Sequence, residues 1–422
     1  MRLQSIRTLA IIAAAFVAGL ACEAKKPAAA APAPAPAVTN PAPKQDDKII
    51  KIVSSLPRTG SAKAQTDTIV NGIQMALEEA GNKVGNWEIK YEDLDDATAA
   101  EGKWTPEKEA ANAEKAIKDL DVMVYIGTYN SGAAKVSMPK LNQVDLLMIS
   151  PANTWPGLTK PGKGEAGEPE KYRPTGKVNY TRVVPADDIQ GVVGADWAKK
   201  LGAKKVFILD DREVYGKGIA DLFEARAKDI GLKIVGREGI DASAQEFKPL
   251  MTKVKDADPD LVYFGGTTQT KAGQIAKDMV AVGLKVMLMV PDGCFEDAFI
   301  ESAGADNLND RTYVTFGGLP PEKLTGKGKD FVDKYKKKHG KEPEGYAVYG
   351  YEAGKIALKA IEMAGKKDRN AIREACLKIK NFDGALGKWS FDKNGDTTNR
   401  TMSGQVVKKG KFEFATMLGD ED

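Results

Sequence analysis

The stretch Val122–Ser150 reads "VMVYIGTYNSGAAKVSMPKLNQVDLLMIS", and its reading decides the fold. It opens on the uninterrupted apolar run "VMVYIG", passes through "SGAAKVSMPKLNQV" with its helical spacing, and closes on a second apolar run, "LLMIS". A run with no polar alternation suits a strand covered on both faces, as in a parallel sheet. Strand, helix, strand in that order is a βαβ unit. Working outward, "KIIKIVSSLP", "DTIVNGIQMALEEAG", "WEIKYEDLDD" and "PEKEAANAEKAIKDL" supply two earlier strands, each followed by a helix. Pro106 suits a first helical turn.

A second series follows: helix "IQGVVGADWAKKLG", strand "KVFILDD", helix "GKGIADLFEARAKDIG", strand "KIVGREGI", helix "FKPLMTKVKDA", strand "LVYFGG", helix "KAGQIAKDMVAVG" and strand "KVMLMVPDG". Two further helices, "GKDFVDKYKKKHG" and "YGYEAGKIALKAIEMAG", and terminal strands joined by polar turns complete the chain. The expected class is α/β, with two doubly wound parallel sheets. "TKPGKGEAGEPEKYRPTGKVNY" is a Gly/Pro-rich insertion before the second series. "DKNGD" at 392–396 lacks the closing glutamate of a calcium loop and reads as a tight turn.

Ligands of open α/β sheets bind beyond the carboxyl ends of strands. Those ends carry Ser131 at a helix start, "SPANT" with Thr154 and backbone N–H groups from Ala152 onward, "REVYGKG" with Tyr215, and "PDG" with Asp292. Neutral donors beside a helix N-terminus suit a carboxylate, and a lone acid suits an ammonium. Together they read as a trap for an α-amino acid. Singly, a Ser or Thr after a strand is also an ordinary cap, and Asp before Gly an ordinary turn.

The chain has 422 residues, 62 basic and 59 acidic, for a net charge of +3, and 7% aromatics. That balance offers no nucleic-acid footprint. Its single histidine, His339, lies in the basic run "KYKKKHGKEP". One His and three Cys exclude zinc clusters and His-based triads, and no nucleophile–base pair or phosphate-gripping glycine loop stands out. No enzyme activity, cofactor or metal is expected. "MRLQSIR" followed by "TLAIIAAAFVAGLA" reads as a signal peptide over 1–21. Cys22 in "AGLAC" fits the modified cysteine of a lipoprotein signal, although Gly19 departs from the usual pattern; cleavage near Ala21 or Ala24 with an incidental Cys22 is the alternative. Residues 22–47, "CEAKKPAAAAPAPAPAVTNPAPKQDD", form an Ala/Pro-rich spacer that cannot bury a core. The expected location is extracytoplasmic, periplasmic or cell-surface, anchored through Cys22. One disulfide between Cys294 and Cys376 is possible, but their contexts favour two separate buried thiols.

The stretches "LPRTGSAKA", "YEDLDDA", "YIGTYNSG", "LLMISPANTWPGLT", "DDREVYGKG", "DLVYFGGTTQTKAGQIAKDMVAVGLK", "MVPDG" and "GKWSFDKNGD" resemble, in order and spacing, the periplasmic Leu/Ile/Val-type binding proteins of ABC importers, from Lys48 to about Phe414. The resemblance implies a type I periplasmic binding protein, with two lobes joined by a multi-strand hinge. Residues 48–184 and 317–400 would form one lobe, and 185–316 and 401–422 the other. It implies a monomeric receptor that closes on an amino acid and delivers it to a membrane permease. Sensing without transport, or an amide, urea or aromatic-acid ligand, is the alternative within the same fold. By position it implies Ser131, Ala152 and Thr154 as carboxylate ligands, Tyr215 as a pocket wall from the other lobe, Asp292 as the ammonium ligand, and Tyr346 as an aromatic wall. Three positions depart from the family. Asp292 is shorter than the usual glutamate, Thr98 and Asn130 stand where some members have a cysteine pair, and Thr267 replaces a frequent aromatic. The side-chain preference stays open.

Overall fold

The computed structural model describes residues 45–419. The signal peptide, Cys22, most of the spacer and residues 420–422 lie outside the described residues. The first sheet contains β1 (Ile49–Leu56), β2 (Lys83–Val84), β3 (Trp87–Asp95), β4 (Val122–Gly127), β5 (Leu147–Ser150) and β6 (Tyr180–Arg182), in the order β2-β3-β1-β4-β5-β6. Only β2 runs antiparallel to its neighbour. The second sheet contains β7 (Lys205–Asp210), β8 (Lys233–Gly239), β9 (Leu261–Gly265), β10 (Met287–Val290) and β11 (Thr312–Gly317). A hairpin of β12 (Phe382–Gly384) and β13 (Gly387–Trp389) stands apart. The antiparallel strands β14 (Met402–Lys408) and β15 (Lys411–Leu418) then extend the second sheet into the order β15-β14-β11-β10-β9-β7-β8. Every residue of β4 and β5 is buried, as their unbroken apolar runs require.

The helices are α1 (Lys63–Glu79), α2 (Pro106–Lys118), α3 (Ser131–Asn142), α4 (Asp187–Lys200), α5 (Val214–Asp229), α6 (Lys248–Asp256), α7 (Ala272–Ala281), α8 (Asp297–Ala303), α9 (Lys327–His339), α10 (Ala347–Ala364) and α11 (Arg369–Leu377). The start of α2 follows from its sequence: the Thr105 hydroxyl accepts from Lys108 N at 3.3 Å, Pro106 fills the first turn, and Glu107 and Glu109 face the positive end of the helix dipole. α10 packs along α1. The approach is close because both partners offer glycine: a Cβ at Gly72 would lie 2.2 Å from the Ala347 carbonyl, and one at Gly350 2.2 Å from the Ile69 carbonyl. α11 packs on β4 and β5, so the chain leaves the second sheet after β11, covers the first sheet with helices, and returns at β14.

Several elements escaped the sequence pattern, β2, β6, β11, β12, α8 and α11 among them. β6 is three residues long and carries the fully buried Arg182. Helices α8 and α11 are seven and nine residues long, and α8 falls just short of two turns. No helix among the described residues is long and apolar enough to cross a membrane.

Candidate ligand-binding cleft

The carboxyl ends of β4 and β5 face those of β7, β9 and β10 across a cleft. A narrow cavity of about 20 Å³ lies there, walled by Tyr129, Ser131, Ala152, Tyr215, Asp292 and Tyr346 among others. Five of the six expected site residues therefore share one cavity. The sixth, Thr154, is buried behind Ser131 and Ala152 and is not part of its wall.

The acid end is the better determined. Asp292 follows β10 and is 2% exposed. Its Oδ1 accepts from Tyr215 Oη at 2.5 Å and from Gln190 Nε2 at 2.6 Å, and its Oδ2 accepts from Tyr346 Oη. Tyr215 Oη is fixed in turn by Gly293 N at 3.1 Å. Burial pushes the Asp292 pKa up, against the opposing pull of these three donors. A carboxylate offers about four acceptor positions, so one remains for a further donor. Gln190 Nε2 also reaches Oδ1 of Asp187, 3.3 Å away at the start of α4. Asp187 is fully buried, and burial together with the charge of Asp292 raises its pKa well above the ordinary range.

The opposite wall holds only neutral donors. Ser131 begins α3, and among the described residues neither its N–H nor that of Gly132 has an acceptor. Its Oγ accepts from Trp155 N at 3.3 Å, which leaves the hydroxyl proton to be donated elsewhere. The backbone at Ala152 differs from expectation. Ala152 N and Asn153 N both turn onto Ser150 Oγ, at 3.2 and 2.8 Å, because a serine closing a strand folds the next two N–H groups back on itself. The free N–H of this turn is that of Thr154, whose hydroxyl is buried beside Asp187. "SPANT" thus presents donors through its last residue, not its third.

Comparison with known proteins agrees with this architecture. Residues 49–411 match the model of the family described as Periplasmic binding protein. The chain belongs to the periplasmic binding protein family. It is 31% identical over 343 residues to Leu/Ile/Val-binding protein homolog 2 of Brucella abortus (strain 2308), across 81% of this chain and 85% of that protein. The leucine binding protein LivK of Thermotoga maritima MSB8 superposes with a TM-score of 0.78 at 28% identity, covering 88% of this chain and 99% of that one. The branched-chain amino acid transporter substrate binding protein LivJ of Streptococcus pneumoniae str. Canada MDR_19A, solved with isoleucine, gives 0.77 at 26% identity, again over 88% and 99%. This periplasmic binding protein is therefore of the Leu/Ile/Val type, with the family's two-lobed α/β fold, and is a binding protein rather than an enzyme.

Contacts across the cleft of this periplasmic binding protein hold the two sheets together. Lys103 pairs with Glu213 at 2.9 Å and Lys160 with Asp188 at 2.6 Å, and Gln65 Nε2 donates to the Phe295 carbonyl at 3.1 Å. Trp155 abuts α5 at Gly218, where a Cβ would lie 2.4 Å from the indole ring. The Gly/Pro-rich insertion holds that tryptophan in place. Its Glu168 carboxylate accepts from Trp155 Nε1 at 2.9 Å and Tyr172 Oη at 2.5 Å, and pairs with Lys135 at 2.8 Å. Burial works to raise the Glu168 pKa, but these partners outweigh it and hold it at about 2. Cys294 and Cys376 are buried free thiols.

Asp187 and Gln190 are the site residues that sequence reasoning missed. In "PADDIQ" an acid at a helix start reads as a partner of the helix dipole. Only the fold reveals that Gln190, one turn on, reaches Asp292 more than a hundred positions away.

Proposed function

We propose that this protein captures an α-amino acid between its lobes and delivers it to an ABC-type permease. One observation carries the reading. A single cavity has unengaged N–H and hydroxyl donors at a helix start on one wall, and on the other a buried carboxylate with one acceptor position left. The α-carboxylate would rest on the N–H groups of Ser131 and Gly132 and on the Ser131 hydroxyl, with Thr154 supplying its N–H and hydroxyl if the turn relaxes toward the ligand. The ammonium would take the last acceptor position of Asp292. Tyr215 and Tyr346 would carry the aromatic walls, and Ala152 would line the space between the two poles.

The ligand touches groups of both lobes, so its binding favours the closed arrangement over the open one. The lobes would be residues 48–184 with 317–400, and 185–316 with 401–422, and a monomer suffices for this mechanism. Export by the 1–21 leader and lipid attachment at Cys22 would place the receptor on a membrane surface, with residues 22–47 as its tether.

Calorimetry tests the two-pole site. The protein is titrated with α-amino acids, with the same acids lacking the amino group, and with the corresponding amines. The proposal requires both poles, so removal of either group must weaken binding at least tenfold. Equal affinity for a deaminated acid and its parent amino acid would refute the ammonium site.

A further inference from the structure

The cavity does not end at the aromatic wall. A second, smaller space, of about 10 Å³, continues from it past Asn130, Ser131, Tyr215 and Thr267, which border both. A ligand held at its α-carbon between Ser131 and Asp292 would send its side chain there. This inference rests on the amino-acid reading above and specifies it further.

The walls of the second space are polar. Asp211, Lys103, Glu213 and Thr270 contribute, beside the rings of Trp104 and Tyr215. Most of these polar groups are already matched: Asp211 accepts from Glu213 N at 2.9 Å and Thr270 Oγ1 at 2.8 Å, and Lys103 is paired with Glu213 at 2.9 Å. Two are not. Oδ1 of Asn130, an acceptor, and Nε2 of Gln269, a donor, are buried with no hydrogen-bond partner. Asn130 lies just before α3, in the first sheet's half of the cleft, and Gln269 follows β9 in the other.

We infer that this compartment takes a neutral polar side chain, a carboxamide, and that Asn130 and Gln269 set the specificity. The argument is by elimination of donors and acceptors. An aliphatic side chain would leave both atoms buried and unpaired, which a site built to hydrogen-bond rejects strongly. A carboxylate has nothing to donate to Asn130 Oδ1. An ammonium or guanidinium has nothing to accept from Gln269 Nε2. A carboxamide carries one donor group and one acceptor and matches both.

The test is calorimetry on the purified protein with L-glutamine, L-asparagine, L-leucine, L-isoleucine, L-glutamate and L-arginine, together with the deaminated acids of the series. L-glutamine or L-asparagine should bind at least tenfold more tightly than any other member. Gln269→Leu should erase that preference by weakening the amide ligand while leaving leucine unchanged or tighter. Gln269→Glu keeps the shape but removes the donor, and should weaken the amide ligand too. Ligand-free melting temperatures of both variants verify that they fold. A preference for leucine, isoleucine, glutamate or arginine, or a preference unmoved by both variants, overturns the inference and leaves the amino-acid reading intact. Binding confined to the deaminated acids would instead overturn the amino-acid reading itself.

Discussion

Replacing Asp292 by asparagine tests the charge at the centre of the cleft. The substitution keeps the side chain's size and one acceptor oxygen for Tyr215 or Gln190, and removes the negative charge that an ammonium would meet. A hydrogen bond to a charged group contributes about 1.5–3 kcal/mol, so affinity for the amino acid should fall roughly 10- to 150-fold. The ligand-free protein should not lose stability in proportion. Asp292 is buried beside Asp187, and burial of both carboxyls raises their pKa, so the native fold bears the cost of that charge. Isothermal titration supplies the affinity and a thermal melt the ligand-free stability. The deaminated analogue is the control: it has no ammonium, and its affinity should be unchanged or improved in the variant. Unchanged amino-acid affinity, or an equal loss for both ligands, would refute the reasoning.

Four further outcomes are expected. Thr154→Val removes a buried hydroxyl beside Asp187 and should weaken amino-acid binding several-fold; titration measures the loss and a thermal melt checks that the variant folds. Gly218→Ala should drive a methyl into Trp155 and oppose closure, reducing affinity at least tenfold and abolishing the ligand-induced decrease in radius of gyration by X-ray scattering, with little change in the ligand-free melt. Glu109 is held up at about 7, chiefly by burial. Its folded pKa lies above its ordinary 4.5, so its contribution to stability is full below pH 4.5 and is lost as pH rises through 7; Glu109→Gln should flatten the decline of stability over that window by on the order of 3 kcal/mol in chemical denaturation. Cys294 and Cys376 should resist thiol reagents in the native protein and react on unfolding, since burial raises the pKa of both thiols, that of Cys376 to about 12.

The sequence carried the fold where burial left a periodic mark. β4 and β5 are apolar on both faces, and α1 and α10 have long apolar spacings, so their type and order were legible. β6 was not, because a three-residue strand has no period and because Arg182 looks exposed until Asp396 Oδ1 is found 2.6 Å away. The same split runs through the cleft. Ser131, Tyr215 and Asp292 stand at strand ends, where topology alone predicts ligands. The N–H of Ala152 was expected to be free, but the Ser150 hydroxyl, two residues earlier, captures it. Asp187 and Gln190 act through contacts of long sequence separation, which no local pattern records.

The distribution of unpaired polar atoms gives the cleft an energetic direction. Buried donors and acceptors are almost always matched, and an unmatched one costs about 1–3 kcal/mol. Here Asn130 Oδ1, Gln190 Oε1 and Gln269 Nε2 lie unpaired about one cleft. With the lobes in contact, these groups find no partner within the chain. A ligand that supplies the missing partners therefore favours the closed arrangement over the open one. A ligand shifts such an equilibrium by its differential affinity for the two states and by nothing else. Unpaired atoms at the cleft thus make closure itself the step that reads the ligand's chemistry, while the interlobe pair Lys160–Asp188 lies outside both compartments. Charge-neutral replacement of that pair should accordingly change affinity for all ligands by the same factor, whereas replacement of Asn130 or Gln269 should change their ranking.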